Sequence, residues 1–424
     1  MIVVPVRKLP VVTVSFVIEA GAVAEPVGQE GVARITARAL LEGTRVRTGD
    51  ALTEGLERLG ASLDADAEWD STSLSMTVLT TRLSEAMALL AEVVLQPAFP
   101  ERELERLKAE RLSEILQRRA EPRGLADDMF ARFAYAPDSR YAVPEGGSAT
   151  SVSAIDRERA RAFHAARYRA GNTTAIIVGD IGVDDALRAM RSRFDTWPMQ
   201  RSNVAEADDS PALRTRAVHL VEKADAPQSE LRIGHVGIPR AHPDYFAALV
   251  MNMLLGGLFS SRINLNLREA HGYTYGASSA FDWRRQAGPF VVASAVRSDV
   301  TAAAAREVLA EIDRMRAEKV SAEELSLATS YLEGVFPIRY ESTAAIARAL
   351  TAMVVYGLPP DYFDTYRDRV RAITAPDVLR AAGEFLHPEE MQLVAVGDPA
   401  VREPLEALEL GPLQSYDTEG VQRG

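Results

Sequence analysis

The sequence of 424 residues contains no cysteine. Disulfide bonds, thiolate metal sites and cysteine nucleophiles are therefore excluded. Basic charge is also scarce, because 48 Lys and Arg residues face 60 Asp and Glu residues and leave a net charge of −12. Nucleic acids and anionic membranes both attract basic surfaces, so the sequence predicts neither as a partner.

Histidine pairs at metal-binding spacing are missing as well. No two of the six histidines lie within four residues of each other, so none forms the i, i+4 pair that binds zinc on one helix face. The sequence also lacks a Walker loop and a Gly-x-Ser-x-Gly nucleophile elbow. It therefore offers no complete catalytic set.

Long apolar runs are absent too. No run reaches the ~18 residues of a membrane span, and residues 1–17 lack the pattern of a signal peptide. The remaining composition, with 47% apolar and 25% charged residues, is typical of a globular protein with substantial cores. We expect a soluble protein of the cytoplasm or the periplasm, and the sequence does not decide between them.

The chain repeats its pattern of elements after 218 residues. Alternating apolar residues predict a strand over residues 11–21 and another over 229–239. Buried strands ending in Gly-Asp are predicted over residues 173–181 and 391–399, at the same offset. Between these landmarks each half carries one further strand and two helices in the same order: residues 73–81, 83–95 and 101–120, then 290–296, 300–317 and 321–335. Such matched spacing indicates an internal duplication.

A polar segment with two prolines, residues 198–214, separates the halves and predicts a surface linker. The predicted domains are therefore an N-terminal lobe over residues 1–197 and a C-terminal lobe over 215–424. Strands followed by runs of helices predict an α+β fold. We expect two homologous lobes, each an antiparallel sheet with helices packed on one face.

The segment GVARITARALLEGT (residues 31–44) resembles the zinc helix of the pitrilysin and mitochondrial processing peptidase family, which carries His-x-x-Glu-His. The resemblance places Arg34 and Arg38 at the two histidines and Ala37 at the glutamate. A guanidinium group has no lone pair for a metal, and alanine cannot activate water. The family's third ligand falls at Glu114, and we predict that Arg34 or Arg38 pairs with this carboxylate because burying it unpaired would be costly.

The most specific resemblance lies in the second half, in LLGGLFSSRINLNLREAHGYTYGASS (residues 254–279). Family members carry there an Arg and, seven residues later, a Tyr that contact substrate beside the zinc, and the resemblance implies this role for Arg268 and Tyr275. An Arg can bind a carbonyl or carboxylate through two parallel hydrogen bonds, and a Tyr can donate to an oxyanion. The alternative is a solvated charge at a helix end and a strand aromatic.

Gly256 and Gly257 have two compatible interpretations. They resemble a flexible glycine-rich loop that meets substrate in the related mitochondrial subunit. They also suit the end of a helix predicted over residues 244–255, as C-cap glycines.

The resemblance implies a non-catalytic, substrate-binding subunit of a heterodimeric zinc metallopeptidase that cleaves peptides, as in some bacterial members of the family. A homologous partner with an intact His-x-x-Glu-His motif would supply the zinc, and no cofactor is expected in this chain. The alternatives are a structural or scaffold subunit, in which Arg268 and Tyr275 are relics, a homodimeric peptide-binding protein without proteolytic role, and an enzyme with an unrelated site.

Overall fold

The computed structural model describes residues 1–423. Its strands, in chain order, are β1 Ile2–Pro5, β2 Val11–Ile18, β3 Ser62–Ala67, β4 Thr72–Leu79, β5 Thr173–Gly179, β6 Ala217–Glu222, β7 Gln228–Val236, β8 Ala277–Phe281, β9 Pro289–Arg297, β10 Gln392–Gly397, β11 Leu413–Tyr416 and β12 Gln422–Arg423.

The α-helices, in chain order, are α1 Val32–Ala39, α2 Gly49–Leu59, α3 Leu83–Leu95, α4 Glu101–Ala120, α5 Pro122–Ala134, α6 Ala149–Ser153, α7 Arg157–Arg167, α8 Val183–Phe194, α9 Tyr245–Asn252, α10 Arg262–Asn264, α11 Thr301–Ala317, α12 Ala322–Ile338, α13 Thr343–Val355, α14 Tyr362–Arg371, α15 Ala375–Phe385 and α16 Arg402–Glu406. Two π-helical turns, Met253–Gly257 and Leu265–Ala270, follow α9 and α10.

The paired strands support the predicted duplication. The first sheet has the order β1-β5-β2-β4-β3, and the second contains the matching series β6-β10-β7-β9-β8, extended by β11 and β12. The predicted α+β class is confirmed, but the expectation of antiparallel sheets is wrong, because both sheets are mixed. Strand β1 pairs in parallel with β5, and β6 pairs in parallel with β10 and β11. Parallel neighbours need long crossover connections, which the helical stretches between these strands provide.

The chain forms two compact units that differ from the predicted lobes. Unit 1 comprises residues 1–115, 145–206 and 337–360, and unit 2 comprises 116–144, 207–336 and 361–424. Each sheet is covered in part by a helix that the predicted boundary at residues 198–214 assigns to the other half. In unit 1, α13 packs on β2 and β5, and in unit 2, α5 packs on β7 and β10. The composition of residues 198–214 indicates a surface segment, but it does not predict which sheet each helix packs on.

The alternation in β2 shows how one face of the first sheet is buried. Val12, Val14 and Phe16 are fully buried, and the Phe16 ring lies 5.0 Å from that of Phe194 on α8 in an edge-to-face arrangement. Polar residues point to the opposite face, where the Oγ1 atoms of Thr13 and Thr343 are 2.8 Å apart. Successive strand residues face opposite sides, so this single strand serves both the apolar core and the polar contact with α13.

One continuous stretch, Tyr245–Ala270, is long and apolar enough to cross a membrane, with a mean hydropathy of 1.5. This stretch runs through α9, both π-helical turns and α10, and 61% of its most apolar window is buried inside the protein. Burial of this kind is what a core helix of a globular domain shows. A sequence prediction that considers only uninterrupted apolar runs does not identify this segment.

Candidate functional site

In unit 1, helix α1 carries the residues that the resemblance assigns to metal-binding positions. Gly31, in the left-handed conformation (φ 98°), precedes the helix, and the Glu25 carboxylate caps it by accepting hydrogen bonds from Gly31 N and Ala33 N at 2.9 and 2.8 Å. A carboxylate at a helix N-terminus satisfies unpaired N–H groups and complements the helix dipole. The helix is therefore firmly positioned although the metal ligands are missing.

The three positions on α1 have different environments. Ala37 is fully buried in the core of unit 1, so the place of the catalytic glutamate has become part of the apolar packing. Arg34 and Arg38 are 25% and 30% exposed, which leaves both guanidinium groups at the edge of the core. The helix therefore contributes two cations where a metal site would have two neutral donors.

The predicted ion pair with Glu114 is present. Arg38 Nη1 donates to Glu114 Oε1 at 3.2 Å, whereas Arg34 approaches Glu145 instead, with 3.9 Å between Nη1 and Oε2. The sequence reading missed Arg111, whose Nη1 donates to Glu114 Oε2 at 3.0 Å. Its position three residues before Glu114 on α4 was the available signal, because residues at i and i+3 share a helix face.

The electrostatics of Glu114 follow from these contacts. Partial burial by itself raises the pKa of the carboxyl group, but hydrogen bonds and charge attraction from Arg111 and Arg38 outweigh it and lower the pKa below its usual value. The carboxylate is therefore ionised at neutral pH, with both oxygens bound to arginine.

The residues in these positions do not fit zinc. Two of the three ligand positions carry guanidinium groups, which cannot donate a lone pair, and the third is bound to Arg38 and Arg111. Across residues 1–423, no group of three or more His, Asp or Glu side chains is arranged to hold a metal ion.

In unit 2, Gly256 and Gly257 lie within a π-helical turn and do not cap a helix. Helix α9 ends at Asn252, three residues before the predicted end, and neither glycine has the left-handed conformation of a C-cap. The C-cap interpretation is therefore wrong. A Cβ atom at Gly256 would lie 2.4 Å from the backbone nitrogen of Ser279 on β8, so glycine is needed there for close approach. π-Helical turns are frequent at functional sites.

Two asparagines fix this turn to strand β8. Asn252 Nδ2 donates to the carbonyl of Ser279 at 3.1 Å, and Ser279 Oγ donates to Asn252 Oδ1 at 2.8 Å. Asn264 Nδ2 donates to the Phe259 carbonyl at 2.6 Å, and its Oδ1 accepts from Ala277 N at 3.0 Å. Because both asparagines are buried, these hydrogen bonds hold the glycine segment in one conformation.

The glycine turn and the start of β8 border a cavity of about 480 Å³. Tyr275 lies at this cavity and is 93% exposed, and the neighbouring Phe259 is 71% exposed. The cavity is large because most of the residues around it are small: Gly256, Gly257, Gly276, Ala277, Ser278, Ala293, Ser294 and Ala295. An exposed tyrosine beside an open cavity is accessible to a ligand.

Charged side chains border the same cavity. Arg232 is almost fully buried and donates from Nε to Asp127 Oδ1 at 2.6 Å and from Nη1 to Glu230 Oε2 at 2.9 Å. Arg123, which is exposed, also borders the cavity. The sequence reading missed Arg232 and Glu230, because their i, i+2 spacing on a strand carries no specific signal.

The structure places Arg268 next to Phe259. The Arg268 guanidinium carbon lies 4.4 Å from the centre of the Phe259 ring, an arrangement typical of a cation–π contact. Phe259 and Tyr275 both line the cavity, whereas Arg268 is not among the residues that line it. Phe259 was also missed, although an aromatic residue two positions after a Gly-Gly pair was a usable signal.

These features define a duplicated α+β chain in which arginines occupy positions that the resemblance assigns to metal ligands. Residues 3–139 match the family model of the insulinase family, peptidase family M16, and residues 154–332 match that of the peptidase M16 inactive domain. The chain belongs to peptidase family M16, as a member without a catalytic zinc site of its own.

Relatives and solved structures extend the match over nearly the whole chain. An uncharacterized zinc protease of Rickettsia bellii is 24% identical over 78% of this chain and 79% of its own length. A probable mitochondrial-processing peptidase subunit beta of Arabidopsis thaliana is 22% identical over 91% of this chain and 74% of its own length. The crystal structure of a peptidase M16 inactive domain from Pseudomonas fluorescens has a TM-score of 0.88 and 28% identity, covering 93% of this chain and 95% of the other.

Proposed function

We propose that this chain is the non-catalytic subunit of a heterodimeric zinc metallopeptidase and that it binds peptide substrate. A homologous partner with an intact His-x-x-Glu-His motif would supply the zinc and the general base. The substrate would contact unit 2 at the cavity bordered by the glycine turn, Phe259 and Tyr275.

The observation that carries this proposal is the open cavity of unit 2 with Tyr275 exposed at its border. A solvent-exposed tyrosine can donate a hydrogen bond to a peptide carbonyl, while the small residues leave space for side chains. Arg268 positions Phe259 from one side. The buried Nη1 atom of Arg268 has no acceptor within residues 1–423. Some hydrogen-bonding capacity of Arg268 is therefore unused within the chain.

Peptide binding by the chain alone, in the presence of EDTA, tests the proposal. A tryptic digest of casein would be incubated with the protein, and peptides retained on ultrafiltration would be identified by mass spectrometry. A retained peptide would then be synthesised and its Kd measured by fluorescence anisotropy. We expect Arg268→Ala and Tyr275→Phe each to weaken binding about threefold, because the first removes the cation–π contact that positions Phe259 and the second removes a neutral hydrogen bond.

Matched controls come from the same unit. Arg402→Ala removes an exposed arginine that pairs with Glu406, and Tyr331→Phe alters an exposed tyrosine on α12. Neither residue borders the cavity, so both variants should bind as the wild type does. Retention of no peptide, or equal affinity in Arg268→Ala, Tyr275→Phe and the wild type, would contradict a substrate-binding role and favour a scaffold subunit.

A further inference from the structure

At the cavity of unit 2, the buried Arg232 already has two carboxylate partners. Glu230 Oε2 accepts a hydrogen bond from Arg232 Nη1 at 2.9 Å, and Asp127 Oδ1 accepts one from Arg232 Nε at 2.6 Å. The second oxygen of Asp127, Oδ2, is 3.5 Å from Arg118 Nη2. The charge of Arg232 is therefore balanced within the protein, and both oxygens of Asp127 face an arginine.

Arg123 borders the same cavity but has no such partner. It is exposed, and within residues 1–423 its guanidinium group makes no hydrogen bond or ion pair. Four residues further along α5 lies Asp127, a natural partner on the same helix face, but Arg232 and Arg118 contact its two oxygens instead. Arg123 also lies in the first turn of α5, where the helix dipole disfavours a cation. Its positive charge is therefore not compensated by contacts within the described chain.

The lining of the cavity combines this charge with open space. Among the described residues that line it, Arg123 and Arg232 are cationic and Glu230 is acidic, so positive charge is in excess. The whole chain, in contrast, has a net charge of −12. Most of the other lining residues are small, and the exposed Ser278 adds a hydroxyl group that can donate a hydrogen bond. This combination suits an anionic group on a ligand.

We infer that the cavity of unit 2 binds a carboxylate group of the peptide, with Arg123 as the residue that recognises it; this inference rests on the proposed function. A guanidinium group matches a carboxylate through two parallel hydrogen bonds, and an exposed guanidinium is within reach of a ligand. The carboxylate belongs to the side chain of an Asp or Glu residue of the peptide or to its C-terminus. Arg123 then determines which peptides the cavity accepts.

Three forms of one synthetic peptide separate these two sources. The peptide is the casein fragment that the wild type binds most tightly, labelled at its N-terminus and prepared unchanged, with every Asp and Glu replaced by Asn and Gln, and with a C-terminal amide. Each Kd is measured by fluorescence anisotropy at about 50 mM salt, where screening of exposed charges is weak. We expect the form that lacks the relevant carboxylate to bind about threefold more weakly, as for one exposed charge pair. A general electrostatic effect would have the opposite sign, because a protein with a net charge of −12 repels negative charge.

Variants of Arg123 show whether this residue causes the difference. Arg123→Gln should bind all three forms equally, whereas Arg123→Lys should keep part of the difference, because it retains the charge without the planar fork. The control Arg306→Gln changes an exposed arginine of unit 2 on α11 that does not line the cavity, and it should behave as the wild type. Circular dichroism and thermal melting would establish that each variant is folded.

Two outcomes would overturn the inference while leaving the proposed function intact: equal wild-type affinity for all three forms, or the same difference between the forms in Arg123→Gln as in the wild type. In either case Tyr275→Phe would still weaken binding. If the wild type retained no peptide at all, the proposed function itself would be contradicted, and the inference with it.

Discussion

The two units carry topologically matched sheets, yet their functional positions have diverged in opposite ways. In unit 1, the positions of the metal ligands are closed by a network of charges in which Arg38 and Arg111 bind Glu114. In unit 2, the glycine turn and β8 keep a cavity open, with Tyr275 exposed beside it. A closed charge network in unit 1 therefore contrasts with an open cavity in unit 2.

We propose that this difference reflects specialisation rather than general decay. A decaying site would leave Glu114 as an unpaired carboxylate, which is costly when partly buried. The structure instead supplies two arginines, one from α1 and one from α4. The asparagine contacts that fix the glycine turn of unit 2 are likewise complete.

Placing histidines at the two arginine positions of α1 should open the closed charge network of unit 1 to a ligand, and this change has the largest expected effect. Arg34→His together with Arg38→His places two imidazoles at i and i+4 beside Glu114, which is a His₂Glu donor set. We expect the purified double variant to contain about one zinc ion per chain by plasma mass spectrometry, and the wild type to contain none. Adding Glu114→Gln should lower the zinc content. Absence of zinc from the double variant would show that α1 and α4 are no longer placed for a metal.

Acidification should destabilise both units, because partial or full burial lowers the pKa of His164 in unit 1 and of His219 and His235 in unit 2. Burial lowers the pKa of His164 in unit 1 to about 4, and burial likewise lowers the pKa of His235 in unit 2 to about 4. Between pH 6.5 and 4 the unfolded chain binds protons that the folded chain excludes, so stability decreases as the pH falls. The expected loss is roughly 3 kcal/mol for each of His164 and His235 by pH 4.

Denaturant unfolding from pH 7 to pH 4 measures this loss. His164→Phe should make the pH dependence shallower by about the contribution of one histidine. An unchanged slope in that variant would mean that the pKa of His164 is the same in the folded and the unfolded protein.

Charge pairs in the two units should differ in their contribution to stability. Arg232 is almost fully buried beside Glu230, so Arg232→Met leaves a nearly buried carboxylate unpaired and should cost about 3 kcal/mol. Arg38→Met should cost less than about 1 kcal/mol, because Arg38 is partly exposed and Arg111 still binds Glu114. Urea unfolding of both variants measures the difference. Equal losses would show that the charge network of unit 1 is as important for folding as that of unit 2.

Part of this architecture could be predicted from the sequence. Periodicity located α3 at residues 83–95, and the Ser321–Glu324 capping box located the start of α12. The repeat offset revealed the duplication because matched strands recur in matched order. The resemblance identified Glu114, charge compensation predicted Arg34 or Arg38 as its partner, and the structure shows that Arg38 is the one that pairs with it.

The remainder depended on three-dimensional placement. Helices α5 and α13 cover sheets that their positions in the chain do not indicate, and only tertiary packing reveals this. The π-helical turn at Gly256 arises from the close approach of β8, which no local sequence pattern encodes. Arg268 and Tyr275 were assigned a shared role in substrate contact, but the structure places Arg268, in the second π-helical turn, against the Phe259 ring.

Peptide cleavage by a homologous chain with an intact His-x-x-Glu-His motif, measured with and without an equimolar amount of this protein, tests the central claim most directly. We predict no cleavage by this chain alone and a mixture about 100-fold more active than the partner alone, in the range expected when donors to the transition state are supplied. A partner that is equally active alone, or cleavage by this chain in its absence, would contradict the account.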